Sequence, residues 1–348
     1  MINCADNAIM AKVRALYGNR LTEADYTRLL SAKSVSEIAA YLKNDTAYGP
    51  ILAEIREDLV HRGQLETMIR RRGLDIYMSL VKYSYNDDLF LTIYMMENEI
   101  RQLLLAMRFL NAGSMDRYIV ALPVYLSRYM SFDLFALARV KSYDELMAVA
   151  RHSRYYPIIG RFRPATSDRP VNITACEKAL MEYYYTALLE TVEKRYGGST
   201  KTDLTNLLRG QVAFHNLSVA YRLKKYFGYA PQRIREAMLD VKTDFKAVAF
   251  DSIINADADA DLSGLVKELR VIRRYLPDWD SAVREISVNL NRAQRNMSRK
   301  SYRFSTKPMV VVVNFMLLLE IEVKNIVNII EGVRYGVPAE EIRSLIVI

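Results

Sequence analysis

In the stretch WDSAVREISVNLNRAQRNMSRKSYRF the apolar residues Val283, Ile286, Leu290, Ala293 and Met297 are spaced by three and four. That interval places side chains on one stripe of a helix. The stripe predicts a helix with this side on a core, and Arg292, Arg295, Arg299 and Arg303, at similar spacing, are expected on the opposite side. Just beyond, the 11 residues MVVVVNFMLLL from Met309 to Leu319 are apolar apart from Asn314. A bilayer crossing needs about 20, so the run predicts a buried helix, with Ser305 or Thr306 as its cap and Pro308 in its first turn. Arg70, Arg71 and Arg72 in ETMIRRRGLDIYMSL are expected on the wet face of another amphipathic helix. No alternating strand pattern bounded by turn signals competes with the 3.6-residue period, and the chain is predicted to be all-α.

The helical pattern recurs at long range. EADYTRLLSAKSVSEIAAYLKNDTAYGP aligns with SFDLFALARVKSYDELMAVARHSRYYP, pairing Asp25 with Asp133, Leu29 with Leu137, Lys33-Ser34 with Lys141-Ser142 and Glu37 with Glu145. Both segments end on Tyr-x-Pro, at Tyr48 and Pro50 and at Tyr155 and Pro157, and a third copy ends on Tyr275 and Pro277 after the insertion NADADAD. Downstream, three further segments each carry an Ile or Leu (Ile100, Leu217, Ile326), a basic residue eight later (Arg108, Lys225, Arg334) and then a helix-ending Gly (Gly113, Gly228, Gly336). Glycine suits that place because it adopts the left-handed conformation without steric cost. The spacing, 107 residues from Pro50 to Pro157 and 120 from Pro157 to Pro277, exceeds the 20–50 residues of solenoid repeats. It predicts three homologous helical domains, 1–122, 123–240 and 241–348. In this reading Tyr48, Tyr155 and Tyr275 hold equivalent places and Pro50, Pro157 and Pro277 break the same helix junction.

Composition narrows the function classes. Two cysteines among 348 residues are too few for a disulfide framework and lack metal-ligand spacing, which fits a reducing compartment. The N-terminus has no apolar stretch of signal-peptide length. The net charge of +9 is uneven: the thirds carry 15 basic and 15 acidic side chains, 18 and 11, and 16 and 14. Such a balance admits nucleic acid, an anionic membrane surface or an acidic protein as partner.

No catalytic constellation emerges. There is no GxxxxGK[ST], no GxSxG and no HExxH, and His61, His152 and His215 are far apart. In DADADLSGLVKE, Asp257, Asp259, Asp261 and Glu268 stand at positions 1, 3, 5 and 12 of a calcium loop, yet Leu262 occupies position 6, where the sharp turn needs Gly. The simpler reading is a solvated acidic loop before a helix capped by Asp261 or Ser263. The four arginines of 292–303 have no acidic residue between Glu285 and Glu320, so they are either a solvated basic face or a stripe that docks acidic groups through bidentate contacts.

NAIMAKVRALYGNRLTEADYTRLLSAKSVSEIAAYLKNDTAYG, the threefold helical repeat, and EVKNIVNIIEGVRYGVPAEEIRSLIVI together resemble the central-stalk subunit of V-type and archaeal-type rotary ATPases, designated C in prokaryotes and d in eukaryotes. The resemblance implies a funnel of three pseudo-threefold related helical domains and a non-catalytic role, and no cofactor is expected. It implies a peripheral place on the cytoplasmic face of the membrane, seated on the proteolipid ring, with the D and F shaft subunits inserted and torque passed between ATP turnover and H⁺ or Na⁺ transport. Anionic lipid headgroups are a further expected contact. The rival reading is a basic all-α nucleic-acid-binding protein that uses its 24 tyrosines for stacking.

Overall fold

A computed structural model describes residues 4–82, 88–120, 122–166, 169–241, 247–257, 260–279 and 286–348. Among the described residues every regular element is a helix. In chain order the α-helices are α1 (Cys4–Gly18), α2 (Glu23–Leu30), α3 (Val35–Asp45), α4 (Gly49–Leu52), α5 (Arg62–Val81), α6 (Asp88–Asn111), α7 (Met115–Val120), α8 (Leu134–Leu137), α9 (Tyr143–Val149) and α10 (Tyr156–Ile159). There follow α11 (Ile173–Arg195), α12 (Gly198–Phe227), α13 (Pro231–Ala237), α14 (Ala247–Ile254), α15 (Leu262–Lys267), α16 (Arg270–Tyr275), α17 (Ile286–Phe304), α18 (Pro308–Arg334) and α19 (Ala339–Leu345).

Packing gathers these helices into two compact units, one of Met1–Asp87 with Ala247–Ile348 and one of Asp88–Lys246. A repeat counted along the chain and a unit counted by packing are different divisions. The head of the first repeat, α2 to α4, shares its core with α18 and α19, near the other end of the sequence. Leu29, Ile38, Leu42, Leu52, Ile326 and Ile330 are all almost completely buried there, each contributing roughly 1.5–3 kcal/mol by removal from water.

Local chemistry sets the helix ends. Thr22 and Asp25 form a reciprocal capping box at α2, satisfying donors that the helix itself leaves open. Ser34 caps α3 by accepting from the Glu37 N–H while Glu37 accepts from the Lys33 N–H, and Ser142, Glu145 and Lys141 repeat the arrangement at α9. Gly113, Gly228 and Gly336 all have φ near +60°, as their place after α6, α12 and α18 demands. The cap of α18 falls on Lys307, with Pro308 in the first turn, rather than on Ser305 or Thr306. The Ser305 hydroxyl instead accepts from the Lys307 N–H. Met309–Phe315, Leu318 and Leu319 are buried, and among the described residues no helix is long and apolar enough to cross a membrane.

Candidate functional site

Two buried carboxylates anchor the first two repeat heads to long helices. In the first unit Tyr48 is completely buried and its hydroxyl donates to Glu322 Oε1 of α18 at 3.0 Å. Glu322, also fully buried, accepts at Oε2 from Arg20 Nε at 3.2 Å and from the Leu21 N–H at 3.0 Å. In the second unit the Tyr155 hydroxyl donates to Glu99 Oε2 of α6 at 2.7 Å, and Glu99 Oε1 accepts from the Ser131 N–H at 2.5 Å. The tyrosines have the same backbone conformation, φ −83°, ψ −10° and φ −88°, ψ −18°, and each is followed by a proline, Pro50 or Pro157, in the first turn of α4 or α10. Their N–H groups donate to a hydroxyl two residues back, Thr46 or Ser153.

The third copy differs. Tyr275 ends α16 and is half-buried, and its carbonyl accepts from Asn296 Nδ2 at 2.8 Å. Pro277 follows the end of that helix instead of beginning one. A sequence signal accounts for the contrast. Glu99 and Glu322 each stand 14 residues before a left-handed glycine, Gly113 and Gly336, and the residue 14 before Gly228 is Phe214. An alignment on Ile100, Leu217 and Ile326 shifts the comparison by three residues and hides the shared glutamate.

Burial raises the Glu322 pKa above the ordinary 4.5, against the opposing pull of Arg20, the Leu21 N–H and Tyr48. A folded-state pKa above the unfolded value gives stability that is present below about pH 4.5 and lost as pH rises through the folded pKa. The wild type should therefore gain stability relative to Glu322→Gln when pH is lowered from 7 toward 5, read as the difference in urea midpoints at each pH. A flat difference, or one of opposite slope, would mean that Arg20 outweighs burial.

A second constellation lies in the first unit. Arg20 from the α1–α2 connection, Arg292, Arg295 and Arg299 of α17, and Arg343 of α19 line one cleft of about 650 Å³, with Tyr17, Tyr26 and the segment Ile346–Ile348. Of the predicted α17 core stripe, Ile286, Leu290 and Ala293 are buried and Met297 is half-buried, while Val283 lies outside the described residues. Arg299 and Arg303 are exposed, but Arg292 and Arg295 are half-buried. They sit on the flank of the helix, because Val288, Asn289, Ser298 and Tyr302 widen its buried face. Arg303 is not part of the cleft lining. Arg20 is already paired with Glu322, and Arg343 reaches Glu23 at 3.5 Å. Arg295 and Arg299 have no carboxylate partner among the described residues. Burial and the nearby guanidiniums of Arg20 and Arg299 lower the Arg295 pKa. Guanidiniums stay protonated and only donate, so the arginines equip the cleft to bind an anion, although the lining also contains the carboxylate of Glu23.

The other sequence candidates take structural places. Arg72, expected on a wet helix face, lies half-buried with its guanidinium 4.1 Å from the centre of the Tyr48 ring, a cation–π contact. Asp261 caps α15 by accepting from the Gly264 N–H, Glu268 pairs with Arg273, and Asp259 lies outside the described residues. No group of possible metal ligands occurs among the described residues. His152 is exposed, and burial lowers the pKa of His215. Burial pushes the Cys176 thiol up to about 12, which leaves it a poor nucleophile.

Comparison with known proteins covers nearly the whole chain. The sequence model described as ATP synthase (C/AC39) subunit matches residues 9–345. The C subunit of the A-type ATP synthase of Methanocaldococcus jannaschii is 22% identical, across 97% of this chain and 85% of its own. The protein of the same name from Methanosphaera stadtmanae is 21% identical across 97% and 86%, and that from Methanosarcina mazei is 23% identical across 71% and 68%.

Proposed function

We propose, since the chain belongs to the ATP synthase (C/AC39) subunit family, that it is the non-catalytic central-stalk adaptor of a rotary ATPase or ATP synthase. In this role it joins the membrane proteolipid ring to the D and F shaft subunits on the cytoplasmic face, and passes torque between ATP turnover and H⁺ or Na⁺ transport. Its three repeats serve as three homologous domains. The observation that carries the reading is the family match from residue 9 to residue 345, which leaves no stretch of appreciable length within these 348 residues for a separate catalytic domain.

The joints suit a mechanical part. Each of the first two heads is tied to a long helix by a buried carboxylate with two or three donors, and a charged hydrogen bond in a buried site tolerates little slippage. Nucleic-acid stacking is less well supported, because Tyr26, Tyr48, Tyr77, Tyr118, Tyr143 and Tyr155 are buried and unavailable as platforms.

Affinity purification of the tagged chain from detergent extracts should recover ring and shaft subunits together. A complex assembled without the chain should hydrolyse ATP yet fail to build an ion gradient in proteoliposomes. Full ion pumping by the complex lacking the chain would refute the role, as would ATP turnover by the pure chain.

A further inference from the structure

We propose that the arginine-lined cleft of the first unit is a binding site for a phosphate-bearing anion, gripped by Arg295 and Arg299 with Arg20 and Arg343 around it. The cleft is assembled from three separate parts of the chain, namely residues 17–26 from the end of α1 into α2, the arginines of α17, and α19 with the residues that follow it. A face that served only solubility would spread its charges apart. Here they converge, and half-buried Arg295 lies close enough to Arg20 and Arg299 that like charge, together with burial, lowers its pKa. Arg295 and Arg299, crowded against Arg20 and without a carboxylate partner among the described residues, are relieved by an anion.

Geometry favours phosphate over a single carboxylate. A carboxylate offers two oxygens in one plane and so satisfies one guanidinium fork. A phosphate offers several oxygens in a tetrahedron, so one group can engage forks arriving from different directions. The volume, about 650 Å³, lies within the ~300–1,000 Å³ of small-ligand sites. Tyr17, stacked on Tyr302 with ring centroids 4.2 Å apart and with the Arg20 guanidinium 5.2 Å from its own ring, gives the cleft a rigid wall. The same chemistry is presented by an anionic phospholipid headgroup and by a soluble polyphosphate, and the inference holds whether or not the chain works in a stalk.

Calorimetric titration of the full chain with inorganic pyrophosphate at low salt should give a saturable isotherm. Arg299 is exposed, so Arg299→Glu should keep the melting temperature while weakening pyrophosphate by at least about tenfold, the range of one charged hydrogen bond. Arg299→Gln should show a smaller loss. Arg303→Glu, one turn along the same helix and outside the cleft, should leave the affinity within about twofold, since screened charges at a distance contribute little. Vesicles identify the source. If the chain binds vesicles of phosphatidylcholine and phosphatidylglycerol in equal parts, ignores pure phosphatidylcholine, and is displaced by pyrophosphate, the ligand is a lipid headgroup. If pyrophosphate binds and vesicles do not, it is soluble. The proposal is overturned if pyrophosphate gives no saturable binding, or if Arg299→Glu and Arg303→Glu weaken it equally. An oligoglutamate peptide that binds where pyrophosphate does not would overturn it in favour of a protein partner.

Discussion

Glu322→Ala should cost the first unit about 3–5 kcal/mol of stability, the usual penalty for removing one partner of a buried charge pair. Glu322 accepts from Tyr48, Arg20 and the Leu21 N–H, and alanine leaves all three without that acceptor. The Tyr48 hydroxyl is fully buried, so water does not replace the lost bond, and an unmatched buried donor costs about 1–3 kcal/mol. Glu322→Gln keeps the volume and one acceptor and should lose less. The damage should also be local. Amide exchange should accelerate across Glu23–Leu52, whose core includes α18, and stay unchanged across residues 134–159, held by Glu99 in the other unit. A loss below about 1 kcal/mol, or exchange that rises equally in both segments, would show that the carboxylate is not the anchor of this head.

The features that were legible in the sequence are those set by neighbours along the chain. The all-helical fold follows from apolar spacing, and the cap at Asp261 and the left-handed glycines follow from local backbone demands that few residue types meet. The partners of Tyr48 and Tyr155 were not legible in the same way, because Glu322 lies 274 residues from Tyr48 and Glu99 lies 56 residues from Tyr155. No spacing rule links such positions. Counting back from the helix-ending glycine finds both glutamates, whereas matching the most apolar positions does not.

The arginines illustrate the same limit. All four on α17 group by helical spacing and three of them line the cleft, but Arg20 and Arg343 join these only through tertiary packing. Arg303 shares the spacing and not the cleft. Periodicity reports the direction in which a side chain leaves its own helix and is silent about what another segment brings to meet it. Arg72 shows the converse. Its helix position reads as solvent-facing until the Tyr48 ring is placed against it.

Phe214→Glu should be more damaging than its place in the repeat suggests. By the glycine count it would restore in α12 the glutamate that α6 and α18 carry, and repeat symmetry alone would forecast a third anchored tyrosine. Packing forecasts the reverse. Phe214 is buried, as are Val212, Ala213 and Leu217 beside it on α12. Tyr275, the tyrosine of the third copy, is half-buried and its carbonyl accepts from Asn296. The substitution removes a buried ring, worth about 3–5 kcal/mol on truncation, and adds a carboxylate that must either stay charged in an apolar setting or take up a proton. We expect a loss above about 3 kcal/mol at pH 7, with Phe214→Leu losing less than about 1.5 kcal/mol as the volume control. Because burial raises the new carboxyl's folded pKa, its penalty is present above that pKa and shrinks as pH falls through it. The gap between the two variants in urea denaturation should therefore narrow from pH 7 to pH 5. A Phe214→Glu protein as stable as the wild type at pH 7 would show that this position accepts a charge after all, and that the first two heads are not distinguished by their glutamates.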